Sequence, residues 1–268
     1  MSTNPPVVLV DNPAPHIARL RINRPDKRNA IDYDVRQLLI KALRGILANP
    51  DYRAIVFGGV EGVFSAGGDI PSMVGLSEAQ ARERMRHIHI LCRIVANTGM
   101  PVVSAIEGIG AGAAVGLALL GDYIVVGADS KILFPFLKLG LTPDWGSLQS
   151  LPRRVGFPRA MRILSSGKFI AGEEALRIGL ADELAADGEV MNVAIARAGE
   201  FAQLPAGAFA KMKARLVNAS ASFEEELTRE ENDQATCLLS DEFLEGYASF
   251  KEKRAADFLK LPRESEYV

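Results

Sequence analysis

Asp144 lies in "LGLTPDWG", between Pro143 and Trp145, the only tryptophan of the chain, with Phe134 and Phe136 just upstream. An unpaired carboxylate in apolar surroundings is costly, so it either caps a helix or has its pKa tuned for chemistry. "PD" ahead of "WGSLQSL" fits the first use, with Asp144 as the N-cap of a helix starting near Trp145. In the second use, Trp145, Phe134 and Phe136 form apolar walls that disfavour the charged form and make the carboxylate a stronger base toward a carbon acid. Both uses stay open at this level.

Two glycine-rich loops could complete such a site. "FSAGGDI" and "GIGAGAAVG" each follow a strand-like run and present backbone N–H groups with little side chain in the way. Two such donors converging on one oxygen make an oxyanion hole, and a side chain at Gly68 would crowd it. Each loop alone could equally be an ordinary tight turn. Gly110, Gly112 and Gly116, with Asp129 after a later strand, also invite a dinucleotide-binding reading. Their spacing is not G-x-G-x-x-G, and close helix–strand packing through small residues accounts for them as well. No Cys/His spacing suits zinc, and "GVFSAG" lacks the spacing of a serine nucleophile elbow.

The elements that must hold these loops read as alternating strands and helices. "VVLVDNPAPHIARLRIN" is a hairpin. Asp32 caps a helix running to about Leu47. "RAIVFGG", "PVVSAIEG" and "DYIVVGA" are buried strands, and a helix spans about Ser77 to Asn97. Shorter helical segments fall near 147–155, 158–165 and 172–178, and four longer ones between about 188 and 258. The alternation indicates an α/β fold with a core over 1–200 and a helical C-terminal part over 201–268. The run Glu224–Glu231 marks a solvated helix face.

The chain has 268 residues, 48% hydrophobic and 24% charged, with a net charge of −2. Near neutrality argues against nucleic-acid binding, and the absence of a long uncharged apolar run argues against a membrane span. The opening "MSTNPPVVLVDNP" lacks the pattern of a secretory leader. Cys92 and Cys237 read as separate thiols in a reducing cytoplasm. His87 and His89, two apart on a helix, point to different sides.

The pieces "INRPDKRNAID", "FSAGGDI", "PVVSAIEGIGAGAAVGLALLGDYIVVGADSKILF", "LGLTPDWGSLQSLPRRVG" and "EGYASFKEKRAADF" together resemble the crotonase, or enoyl-CoA hydratase/isomerase, superfamily over nearly the whole chain. The resemblance implies a spiral of ββα units, a C-terminal helical trimerisation region, a homotrimer or dimer of trimers, and an acyl-CoA substrate. It implies no metal and no separate cofactor, since coenzyme A is part of the substrate. Gly68 and Ala113 match the two oxyanion-hole donors. Lys27 and Arg28 fall where the family meets the CoA phosphates and adenine. Backbone at Ala30, Ala66, Asp69 and Ile70 lines the path of CoA and thioester. Phe250 and Lys253 match positions that touch CoA from a neighbouring subunit.

The two acids of a hydratase fall at Gly116 and Phe136, neither of which can transfer a proton. Asp144 matches the aspartate of single-aspartate isomerases of the epoxyphenylacetyl-CoA isomerase type. The resemblance therefore points to an enoyl-CoA isomerase with Asp144 as proton shuttle and Phe136 and Trp145 as pocket walls. An aspartate-dependent hydrolase or dehalogenase, with Asp144 as nucleophile, and an acyl-CoA-binding homologue without turnover are the alternatives.

Overall fold

A computed structural model describes residues 6–263. Met1–Pro5, where the segment read for a leader begins, lie outside the described residues. Strands β1 (Val8–Ala14) and β2 (Ile17–Ile22) form the expected antiparallel hairpin. β2 then pairs in parallel with β3 (Ala54–Gly59), which continues through β4 (Val102–Ile106) and β6 (Tyr123–Gly127) to β9 (Glu183–Ala185). All five positions of β4 are buried, as are five of six in β3. Both faces of these strands are covered, which is why they read as continuous apolar runs.

A second, shorter layer lies at the ends of these strands. β5 (Ile109–Ala111) pairs in parallel with β7 (Lys131–Leu133), which pairs with β8 (Ile170–Ala171). Single bridges join Ser65 to Gly110 and Ile31 to Gly68. Successive passes of the chain thus add a strand to the large sheet and a short segment to the second layer, the spiral that the resemblance implies. The glycine-rich loops are the connections between the layers.

Helices fill the space between. α1 (Tyr33–Ala48) starts where the Asp32 carboxylate accepts a hydrogen bond from the Val35 N–H at 3.0 Å. α2 (Glu78–Asn97) starts at a reciprocal capping box of Ser77 and Gln80. Their apolar faces meet the large sheet in the main core with α3 (Ala113–Ala118). α4 (Ser147–Val155), α5 (Phe157–Ser166) and α6 (Gly172–Arg177) follow. The opposite face of the sheet is covered by α7 (Val190–Ala202). Val190, Ala194, Ala198 and Ala202, one turn apart, pack it on Ile17, Val56, Val103 and Val125.

α8 (Ala206–Val217), α9 (Phe223–Leu238) and α10 (Asp241–Glu252) complete the chain. Lys213 pins α8 to the sheet: its ammonium donates to Asp122 Oδ2 at 2.6 Å and to the Met100 carbonyl at 3.2 Å. Burial pushes the Lys213 pKa down and the Asp122 pKa up, and their mutual attraction offsets part of both effects. Removing one partner would strand a buried charge. α9 buries none of its side chains. Among the described residues, no helix is long and apolar enough to cross a membrane.

Candidate active site

Asn29 and Ser65 knit the first two loops together. Asn29 takes a left-handed φ of 56°, and its amide donates to the carbonyls of Val60 and Val63 at 3.2 and 2.6 Å. The Ser65 hydroxyl donates to the Asn29 carbonyl at 2.7 Å and accepts from the Gly67 N–H at 3.0 Å. The Ala66 N–H donates to the Arg28 carbonyl at 2.8 Å. Arg28, Ala30 and Ala66, expected along the CoA path, are therefore neighbours. Lys27 and Arg28 are exposed, and the Lys27 ammonium lies 4.0 Å from the Asp69 carboxylate. Ile70 is half exposed at the rim.

The bridge between Ile31 and Gly68 fixes which way Gly68 faces. The Gly67 carbonyl accepts from Ile31, and the Asp69 N–H donates back to Ile31. In an extended segment the intervening N–H, that of Gly68, points to the opposite side. Among the described residues it donates to no protein acceptor. Ala113 opens α3, so its N–H also lacks an intrahelical acceptor. The loops touch here: a Cβ built on Gly67 would lie 2.5 Å from the Ala111 carbonyl and 3.5 Å from the Ala113 nitrogen. Gly67 has φ +89°, so glycine meets both the backbone angle and the close approach. The structure thus brings two unused N–H groups, from loops 45 residues apart, to adjacent positions.

Gly110 and Gly116 serve packing, the plainer of the two sequence readings. A Cβ on Gly110 would meet Ile106 at 2.9 Å, and one on Gly116 would meet the Trp145 Cβ at 2.7 Å and the Ser147 hydroxyl at 2.8 Å. At Gly116, where the resemblance puts a hydratase acid, the room for a side chain is taken by Trp145 and Ser147. Phe136, the other such position, is a buried ring whose tip faces Gly112.

Asp144 does not cap a helix. Trp145 and Gly146 both take left-handed backbone angles, φ 53° and 75°, so α4 begins only at Ser147, with Gly146 as its N-cap. No side-chain hydrogen bond caps the start of α4. Its Oδ1 is buried without a hydrogen-bond partner. Burial raises its pKa to about 6, against a smaller opposing pull from Arg84. Trp145 is buried.

Arg84 is the neighbour of these loops that sequence reasoning missed. It stands on α2, half-buried, with Nη1 donating to the Ser72 hydroxyl at 3.3 Å. Its Nη2 lies 3.8 Å from where a Gly68 Cβ would be, and its charge acts on both Asp144 and Asp69. In "ARERMRHIHI" it reads as one more solvated charge, and its spacing from His87 and Leu91 on the buried face was the available signal. On the same helix, burial and the Asp144 charge push the Cys92 thiol up to about 12. Cys92 and Cys237 are both free thiols. His87 is buried and His89 exposed, so they do point to different sides.

Phe250 and Lys253 fall at the end of α10, both exposed. Among the described residues, no hydrogen bond or ion pair ties either to the loops around Gly68.

Comparison with known proteins agrees with this architecture. Residues 14–260 match the Enoyl-CoA hydratase/isomerase family. The chain is 32% identical to a "Probable enoyl-CoA hydratase" of Rhodobacter capsulatus, covering 90% of this chain and 94% of the relative. It is 30% identical to the crotonyl-CoA hydratase of Syntrophomonas wolfei, covering 91% and 94%. Among solved structures, an enoyl-CoA hydratase from Bacillus anthracis superposes with a TM-score of 0.88 at 25% identity, covering 94% of this chain and 99% of that one.

Proposed function

The chain belongs to the enoyl-CoA hydratase/isomerase family, enzymes that process acyl-CoA thioesters, and from that premise we propose that it is an enoyl-CoA isomerase rather than a hydratase. The reading rests on one observation: Asp144 is a largely desolvated carboxylate whose Oδ1 has no hydrogen-bond partner, while the two positions that the resemblance assigns to hydratase acids hold a packed glycine and a buried phenylalanine. The relatives carry hydratase names, and this chain departs from hydratase chemistry at those two positions.

In this reading the thioester oxygen sits between the N–H groups of Gly68 and Ala113, which stabilise it as negative charge builds there. Asp144 removes a proton from the carbon next to the carbonyl and gives a dienolate. It returns the proton two carbons along, so a double bond moves from position 3 to position 2. One carboxylate suffices, because no water is consumed. Lys27 and Arg28 meet the CoA phosphates, and coenzyme A enters only as part of the substrate. Arg84 keeps the Asp144 pKa from rising further, so the base is ionised at neutral pH.

A base must be ionised to act. Exchange of the proton next to the carbonyl, followed in deuterium oxide with a 3-enoyl-CoA, should therefore rise as pH climbs through about 6. Absent exchange, or a rate flat across that range, would contradict the assignment.

We also propose assembly into a trimer or a dimer of trimers. Phe223, Leu227, Leu238 and Phe243 are exposed along α9 and α10 of the single chain, and such apolar surface asks for cover. Phe250 and Lys253 would then reach a neighbour's CoA. Sedimentation equilibrium at micromolar concentration should find three or six subunits, and a monomer would refute the assembly.

A further inference from the structure

A cleft of about 240 Å³ opens between α1, α2 and the turn at Ile70–Met73, lined by Tyr33, Arg36, Ser72, Leu76, Gln80, Glu83 and Arg84. Arg84 borders Gly68, so the cleft starts beside the proposed oxyanion hole.

Arg36 is the unusual member. It is 1% exposed. Its Nε donates to His87 Nδ1 at 3.2 Å, so this histidine accepts through Nδ1 and brings no negative charge. Its guanidinium lies over the Tyr33 ring at 5.7 Å, and Tyr33 in turn stacks on His87 at 4.7 Å. Its Nη1 is buried without a partner. Asp32, the acid that acts on it, is engaged with Arg24 at 2.7 Å. Glu83, the acid in the lining, is largely exposed and paired with Arg86 at 3.0 Å. Burial and the neighbouring Arg84 charge pull the Arg36 pKa down to about 10. Two guanidinium groups thus share one cleft, and among the described residues Arg36 forms no ion pair. A buried, uncompensated charge is expensive, and an arriving anion would relieve it.

We propose that this cleft receives a free carboxylate at the far end of the acyl group, so that the preferred substrates are CoA thioesters of dicarboxylic acids. The inference rests on the acyl-CoA reading of the site. Leu76 and the Tyr33 ring offer apolar wall for the methylene stem, between a thioester held at Gly68 and a carboxylate held by Arg36 and Arg84. Arg36 is a specificity residue in this account and touches no reacting atom.

The test compares calorimetric affinities of glutaryl- and adipyl-CoA with those of pentanoyl- and hexanoyl-CoA, with inorganic phosphate as a separate titrant. These saturated esters bind without turnover. At least one dicarboxylic ester should bind about tenfold or more tighter than its methyl-ended partner of equal length, a margin typical of a charge-assisted contact. Arg36→Gln should erase that margin, and Arg36→Lys should keep part of it. Equal affinities in the wild type would overturn the inference, and that comparison needs no variant. A margin that survives Arg36→Gln, or phosphate binding without any preference among the esters, would overturn it too. Failure of all four esters to bind would instead remove the acyl-CoA reading, and the inference with it.

Discussion

Asp144→Asn should fold and should lose 3-enoyl-CoA isomerisation by a factor of at least about 100, the lower range for removing a general base. The amide matches the carboxylate in size, and no helix cap is lost, because α4 starts from Gly146. Stability should hold or improve at neutral pH. The native carboxyl has a pKa of about 6 against an ordinary 3.8, a displacement equivalent to about 3 kcal/mol. Since the folded value is the higher one, the penalty is fully present above about pH 6. The native state binds its proton before the unfolded chain does, so wild-type stability should rise as pH falls from 6 toward 4. Denaturant midpoints across that interval should show this contribution in the wild type and not in Asp144→Asn. Full isomerase activity in the variant, or brisk hydration of crotonyl-CoA by the wild type, would sink the assignment.

Gly68→Pro should cost about 100- to 1,000-fold in turnover, the usual price of losing one oxyanion donor. Among the described residues its N–H donates to no protein acceptor, and proline deletes it. The companion Gly68→Ala keeps the donor. Its methyl would meet the Met73 Cε at 2.7 Å, the end of a flexible side chain, and then only Arg84 Nη2 at 3.8 Å and the Ala113 Cβ at 4.0 Å. Crowding at this position is thus milder than the sequence suggests, and Gly68→Ala should keep most of its activity. Proline also constrains Gly67, whose φ is +89°. Circular dichroism and a melting curve should therefore accompany the kinetics. A folded Gly68→Pro enzyme with wild-type turnover would remove Gly68 from the oxyanion site.

What could be read from the sequence was local. Asp32 announces its helix because the cap and the apolar spacing lie within a few residues. β5, β7, β8 and β9 escape notice because two or three residues are too few for a periodic pattern. The Asp144 cap reading fails on a backbone matter: two successive left-handed residues delay the helix, and only Gly146 hints at them. Arg36 and Arg84 lie about fifty residues apart on helices rich in charge. Their shared cleft follows from how α1 packs on α2, which neither segment encodes alone. Resemblance carried the long-range part of the site, the pairing of Gly68 with Ala113. It could not supply residues particular to this chain.

Trp145 is the only tryptophan in the sequence, is 2% exposed, and is bonded directly to Asp144. All indole emission of the protein therefore originates at one dry point beside the proposed base. A protonated carboxyl quenches indole light more strongly than a carboxylate does. The brightness of this single fluorophore should therefore follow the Asp144 proton, a response that stopped flow would read in the unlabelled enzyme and that Asp144→Asn should remove.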